Sequence, residues 1–185
     1  MNRFRFIKVR DVESPSRGNE GDAGLDFYIP RNLTMQDMVS ANPIATFNKP
    51  LAIGNIALEL NHYNQVQSIV LAQYSRILIP SGIRVLLEPR ESMLMAANKS
   101  GISTKLGLIF TAEVVDSSYT GEIHIGVYNT TNKAVRLIQG QKLIQFIHVP
   151  VFLTEPEEIS RDEFEREALQ WGTRGSNGFG STDNN

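Results

Sequence analysis

The 185-residue chain contains no cysteine, which excludes a disulfide framework and a thiolate zinc site. Its three histidines, His62, His124 and His148, are scattered without the spacing of metal-ligand pairs, so zinc-dependent chemistry has no donor set. Lysine and arginine form no block, and 18 of them against 20 acidic residues leave a net charge of −2. The electrostatic footprint of a nucleic-acid binder is therefore missing. Long apolar runs are missing too: none approaches the roughly 18 residues that suggest a membrane span. The stretch after Met1 alternates charge with bulk (Arg3, Phe4, Arg5, Phe6), where a signal peptide needs a continuous apolar segment. These absences lead us to expect a cytoplasmic protein that engages neither nucleic acid nor membrane. A small anionic substrate, met by a few local cations, remains compatible with the charge balance.

What is present is alternation. Ile123, Ile125 and Val127 recur at every second position, the period of one face of a pleated strand. Phe4–Val9, Ser68–Gln73, Arg76–Glu88, Leu106–Val115, Ala134–Ile138 and Lys142–Leu153 read in the same way. Turn-forming groups separate them: Pro80-Ser81-Gly82, Ser117 to Gly121, and Gln139-Gly140-Gln141. Many short strands with little helix predict an all-β, jelly-roll-like barrel. Two helices are expected, a short one starting at Thr34 and Asp37 before Pro43, and one opened by a Ser160/Glu163 capping box with Phe164 and Ala168 on one face. Residues 31–66 lack a long periodic segment and read as an insertion in a domain spanning 1–171. From Gly172 onward, glycines at 172, 175, 178 and 180 predict a mobile tail over 172–185.

Four segments carry candidate chemistry. In the tail, Arg174 offers a planar fork to phosphate oxygens, Gly175, Gly178 and Gly180 expose backbone N–H groups, Ser181 and Thr182 add hydroxyl donors, and Phe179 can cover a flat base. Taken alone, it also reads as a flexible Gly-rich terminus. In Val114-Val115-Asp116-Ser117-Ser118-Tyr119-Thr120-Gly121 an acid leaves a β-branched strand, where a carboxylate can orient and deprotonate water. An Asx turn beside a packed tyrosine explains an isolated Asp equally well. Lys99-Ser100-Gly101 joins a cation, a hydroxyl and a free backbone at a loop or helix start, a combination that suits phosphate, although a solvated loop fits those residues too. Gly140 to Phe146, with Gln145 as its polar member, reads first as a hairpin turn.

In this order, and with Asp22-Ala23-Gly24-Leu25-Asp26-Phe27 as a first motif, the segments resemble the trimeric dUTP pyrophosphatase family. Five motifs between Asp22 and Thr182 span nearly the whole chain apart from the insertion. The resemblance implies a homotrimeric jelly-roll-like barrel that hydrolyses dUTP to dUMP and pyrophosphate with magnesium, in sites shared between subunits. Asp116 is then similar to the catalytic carboxylate that activates water, and Tyr119 to the ring that packs on deoxyribose. Val114, Val115 and His124 mark the hairpin whose backbone meets uracil. Ser100 resembles the hydroxyl on the α,β-bridging oxygen, with Lys99 and Gly101 beside it. Asp26 resembles the carboxylate that holds magnesium through water, and Gln145 a contact near the phosphates. Arg174, Gly180, Ser181 and Thr182 would grip the γ-phosphate while Phe179 closes over uracil.

Three positions depart from the family's pattern: Lys99 where arginine is usual, Glu113 where glycine is usual, and Leu25 where tyrosine is commoner. The first turns a bidentate phosphate contact into a point charge. The stretch between the first two motifs is also longer than usual. Two rivals are weighed against the hydrolase. A dCTP deaminase would need a glutamate on the strand after the turn, at the position of Gly126, and a general acid/base cannot be replaced by glycine. A jelly-roll interaction protein without chemistry would not require Asp116, Tyr119 and Arg174 together.

Overall fold

The computed structural model describes residues 3–47 and 52–171. The expected capping tail, with Arg174, Phe179, Gly180, Ser181 and Thr182, lies outside the described residues. In chain order the elements are β1 (Arg3–Lys8), β2 (Gly24–Tyr28), α1 (Met35–Ala41), β3 (Ile56–Leu60), β4 (Val66–Leu71), β5 (Arg76–Pro80), β6 (Ile83–Glu88), β7 (Ser92–Ala97), α2 (Ser100–Leu106), β8 (Leu108–Thr111), β9 (Val114–Asp116), β10 (His124–Asn129), β11 (Val135–Ile138), β12 (Lys142–Pro150) and α3 (Arg161–Trp171). One compact unit ends at Phe152, and a second begins at Leu153 and carries α3. Among the described residues no helix is long and apolar enough to cross a membrane.

Among the described residues of the first unit the strands form four small sheets, ordered β1-β6, β5-β10-β8, β11-β4-β3 and β2-β12-β7-β9, and every paired neighbour is antiparallel. Successive strands repeatedly change sheet, as the expected jelly-roll-like β fold requires. The chain's own chemistry sets these crossings. At Pro80-Ser81-Gly82 it passes from β5 to β6 with Gly82 at φ 73°. The segment Leu106–Val115, which alternates like a single strand, is divided twice. Gly107 ends α2 in the left-handed region and Ala112 sits at φ 57° between β8 and β9. Those two residues send the Asp116 strand into the four-stranded sheet.

The core lies between the sheets, with Phe27, Ile79, Leu94, Val127, Leu137 and Phe146 almost fully buried. Phe27 and Phe146 meet edge-on, ring centroids 4.7 Å apart, a geometry worth about 0.5–1.5 kcal/mol beyond the area buried. This contact pins β2 to β12 beside the site. Leu25 is 8% exposed within the same core, so its departure from tyrosine is met by packing.

Residues on both sides of 48–51 are built into the core: Leu33, Met38 and Ile56 are each 0% exposed. Helix α1 opens on the expected capping box, in which Asp37 N–H donates to Thr34 Oγ1 and Asp37 Oδ2 accepts from Thr34 N–H. Asn42 anchors the other end, accepting from Leu78 N–H and donating to Leu78 C=O, both at 2.7 Å. A two-turn helix followed by a five-residue strand is too short to give a long period, which explains the poor pattern.

Candidate active site

The register of β12 against β2 builds the first half of the site. Gln145 lies opposite Asp26, so both side chains share one face of the sheet. Gly24 makes this possible: a Cβ there would come within 2.8 Å of Gln145 Cβ. Between Lys142 and Ile144 the register shifts, and Lys142 falls opposite Tyr28. Tyr28 is two residues from Asp26 and faces the same way, so the bulge turns Lys142 onto the site face, where strict alternation would have sent it to the other. Leu143 and Ile144, consecutive in sequence, are both buried as a result.

Two ammonium groups consequently converge on one carboxylate. Lys142 Nζ lies 2.7 Å from Asp26 Oδ2, and Lys99 Nζ bonds Asp26 Oδ1. The Asp26 side chain is only 4% exposed, against 26% for Lys99 and 40% for Lys142. Burial by itself would raise the Asp26 carboxyl, but hydrogen bonds and charge from the two lysines outweigh it and hold the group below the usual carboxylate range. The hydrogen bond to Asp26 in turn raises Lys142. Lys99 precedes α2 in a loop ordered by Asn98, whose side chain accepts from Phe110 N–H and whose carbonyl accepts from Gln145.

Around this trio opens a pocket of ≈ 510 Å³, lined by Ser100, Gly101 and Gln145 among others, with Lys99 and Lys142 on its wall. A Cβ added at Gly101 would meet nothing within 4 Å, so the wall there is open. Hydroxyl, amide and two cations above a buried acid make an anion receptor, and the side-chain amide can bond a partner too. Lys142 is the residue that sequence reasoning missed. Its signal was hidden because the bulge is invisible in the alternation.

The second half stands apart. Asp116, Tyr119 and Val114 are exposed, Val115 is 9% exposed and His124 is half-buried. None of them lines the pocket. On β7, Met93 pairs with Asp116 while Ala97 pairs with Gln145, and four residues of strand amount to about 13 Å. A single chain thus holds the expected carboxylate and the anion pocket at opposite ends of one strand. Hydrogen bonds hold the turn itself. Tyr119 N–H donates to Asp116 C=O at 3.0 Å and Tyr119 Oη donates to Glu122 C=O at 2.8 Å. The ring folds back over Gly121, where a Cβ would lie 2.6 Å from Tyr119 Cζ. Glu113 points its exposed side chain to solvent and gives its carbonyl to Ala96 N–H.

A jelly-roll-like β fold with a cationic pocket at one strand end and an exposed acid-bearing turn at the other defines an anion-handling protein of the β-barrel class. The chain belongs to the dUTPase family, whose model matches residues 62–183. The deoxyuridine 5'-triphosphate nucleotidohydrolase of Paramecium bursaria Chlorella virus 1 is 31% identical over 174 residues, covering 94% of this chain and 92% of that one. Among solved structures, the dUTPase of Staphylococcus bacteriophage 80alpha with dUPNHPP matches with a TM-score of 0.69 at 17% identity, over 98% of this chain and 99% of that one. A dUTPase variant from phage phi11 of S. aureus, solved with a coordinated structural Mg(II) ion, matches with a TM-score of 0.62 at 16% identity, over 86% and 98%.

Proposed function

We propose that the chain hydrolyses dUTP to dUMP and pyrophosphate by attack of water on the α-phosphorus, in sites assembled from more than one subunit of a homotrimer. Such an enzyme removes a precursor of uracil in DNA and supplies dUMP. The observation that carries the shared site is the separation along β7. A general base must reach its water within hydrogen-bond distance, and about 13 Å of strand keeps Asp116 from the pocket of its own chain. Cyclic symmetry would bring the turn of a neighbour to each pocket.

In this reading Asp116 accepts the proton of the attacking water. As the new P–O bond forms, the bond to the α,β-bridging oxygen breaks, and pyrophosphate leaves with the electron pair. Ser100 donates to the bridging oxygen, Gly101 leaves room for the chain of phosphates, and Lys99, Lys142 and Gln145 hold their oxygens. Tyr119 packs against deoxyribose, and backbone groups near Val114, Val115 and His124 pair with uracil. The tail residues Arg174, Phe179, Gly180, Ser181 and Thr182 would close over the nucleotide.

Magnesium fits as a companion of the triphosphate. Among the described residues no group of three or more His, Cys, Asp or Glu could hold a metal alone. Asp26, with an ammonium on each oxygen, suits a contact through water better than direct ligation. Bound with the nucleotide, the ion would neutralise charge passing to the leaving pyrophosphate.

A deaminase finds no support: at Gly126 a Cβ would lie 2.9 Å from Thr111 C=O, leaving no space for a glutamate. The test is pyrophosphate release from dUTP, dCTP and dTTP side by side, with Asp116→Asn as the companion variant. dUTP alone should be cleaved, and the variant should lose about 10²- to 10⁴-fold in kcat with binding retained. Near-normal turnover in the variant removes Asp116 from its role, and silence on all three nucleotides sinks the hydrolase.

A further inference from the structure

The stretch 31–66 has no part in the reaction as described, yet one end of it is wired to the turn that carries Asp116 and Tyr119. The link is Arg10, just beyond β1. Its guanidinium grips Glu122 with both prongs, Nε to Oε1 at 2.7 Å and Nη2 to Oε2 at 3.1 Å. Its remaining nitrogen, Nη1, lies 3.0 Å from Asp37 Oδ1. Asp37 is the capping residue of α1, and its other oxygen already serves Thr34. Glu122 is held from a second side, because Oε1 also accepts from Gly82 N–H at 2.7 Å.

The backbone carbonyl of this doubly fastened Glu122 is the group that takes the Tyr119 hydroxyl at 2.8 Å and lies 2.9 Å from His124 Nδ1. The three charged side chains are 17–25% exposed, so their bonds are better shielded than those of surface pairs. The far end of α1 is fixed to β5 through Asn42 and Leu78, and β5 pairs with β10, the strand that leaves the turn. Both ends of the helix are therefore tied to the turn's supports.

We infer that α1, with its end residues Thr34 and Asn42, acts as a brace for the Asp116–Tyr119 turn, with Asp37, Arg10 and Glu122 as positioning residues that set the Tyr119 ring and so the discrimination between deoxyribose and ribose. The selectivity half of this rests on the reading of Tyr119 given above; the bracing half does not. Glu122 without Arg10 keeps only the Gly82 bond, and its carbonyl gains freedom to swing. The ring then loses its fixed angle, and a 2′-hydroxyl meets less resistance.

Two measurements on the full-length chain separate the halves. Hydrogen exchange of the amides at 117–122 is compared in wild type, Arg10→Gln and Asp37→Asn, with α2 as internal reference. The ratio of kcat/KM for UTP to that for dUTP is measured on the same samples. Both variants should exchange faster in the turn and not in α2, and the UTP ratio should rise by roughly three- to tenfold, the effect of freeing one hydrogen bond. Arg10→Lys, which retains a cation, should recover part of both. In a Tyr119→Phe background, which already lacks the hydroxyl, Arg10→Gln should raise the ratio no further. Unchanged exchange in the turn overturns the brace. Faster exchange with an unmoved ratio overturns the selectivity role. If wild type releases no pyrophosphate from dUTP, the hydrolase reading fails, while the exchange data still decide the brace. Should Arg10→Gln fail to fold, Glu122→Gln keeps the side chain's shape and removes the charge that Arg10 grips with two bonds, so it carries the same test.

Discussion

Two inactive variants should restore each other if each site draws its pocket and its carboxylate from different chains. The perturbations follow from the geometry. Gly101→Phe fills the pocket from an open wall, since a Cβ there meets nothing within 4 Å, and it replaces a glycine inside α2 with a better helix former. Folding should survive and phosphate binding should not. Asp116→Asn leaves the pocket intact and removes the base. The two proteins are mixed in equal amounts, unfolded and refolded together. A site is whole when its pocket comes from the Asp116→Asn chain and its carboxylate from the Gly101→Phe chain, each with a chance of one half. Random mixing in a closed ring of three therefore predicts about one quarter of the wild-type sites. The assay is pyrophosphate release from dUTP on the trimer fraction, with mixing verified by a mass tag on one parent. Activity near a quarter of wild type supports shared sites. If tagged and untagged chains share trimers and activity stays at the parental level, pocket and carboxylate act from one chain, and the inference from the β7 spacing is wrong.

Lys142→Met should weaken binding of inorganic tripolyphosphate by roughly 10- to 100-fold, the cost of a charged hydrogen bond, while dUMP binding by calorimetry changes much less and Lys142→Arg restores affinity; equal losses for both ligands would place Lys142 outside the polyphosphate site. Asp26 governs an acid limb of stability. Its folded carboxyl lies below the usual value, so its contribution is complete above about pH 4 and is lost as pH falls through the depressed folded value. Melting temperatures from pH 7 to pH 2 should therefore fall steeply at the acid end for wild type and more shallowly for Asp26→Asn, and parallel curves would refute that assignment.

Much of the fold was legible wherever one face of a strand is buried and the other is not. The Ile123, Ile125, Val127 alternation marks β10, and the Thr34/Asp37 pair announces the start of α1. Strand β2 escaped because Gly24, Leu25, Asp26 and Phe27 are all buried, so no alternation exists to be read. Strand β7 is built from Ser, Met, Leu and Ala, residues without strong β preference. The segment from Leu106 to Val115 misled for another reason: two left-handed residues cut an apparently continuous alternation. At the site, Lys99, Ser100 and Gly101 were readable as one segment and Gln145 joined them only through the family resemblance, yet all four line one pocket. The pairing of Lys99 with Asp26, 73 residues apart, could not be read, because neither residue carries a local mark of its partner. Arg10 and Glu122, 112 residues apart, were hidden in the same way.

The bulge in β12 lets one strand keep two rhythms. A regular strand can offer a binding site only every second residue, and any functional pair three apart would have to send one member inward. By looping out a single position, β12 presents Lys142 and Gln145 to the same side while Leu143, Ile144 and Phe146 stay in the core. The polar pair and the packing residues are thereby uncoupled, so the core can drift in sequence without moving the site, and the site can change its chemistry without unsettling the core. In other chains of this architecture, two polar residues three apart within an otherwise apolar strand are worth reading as neighbours.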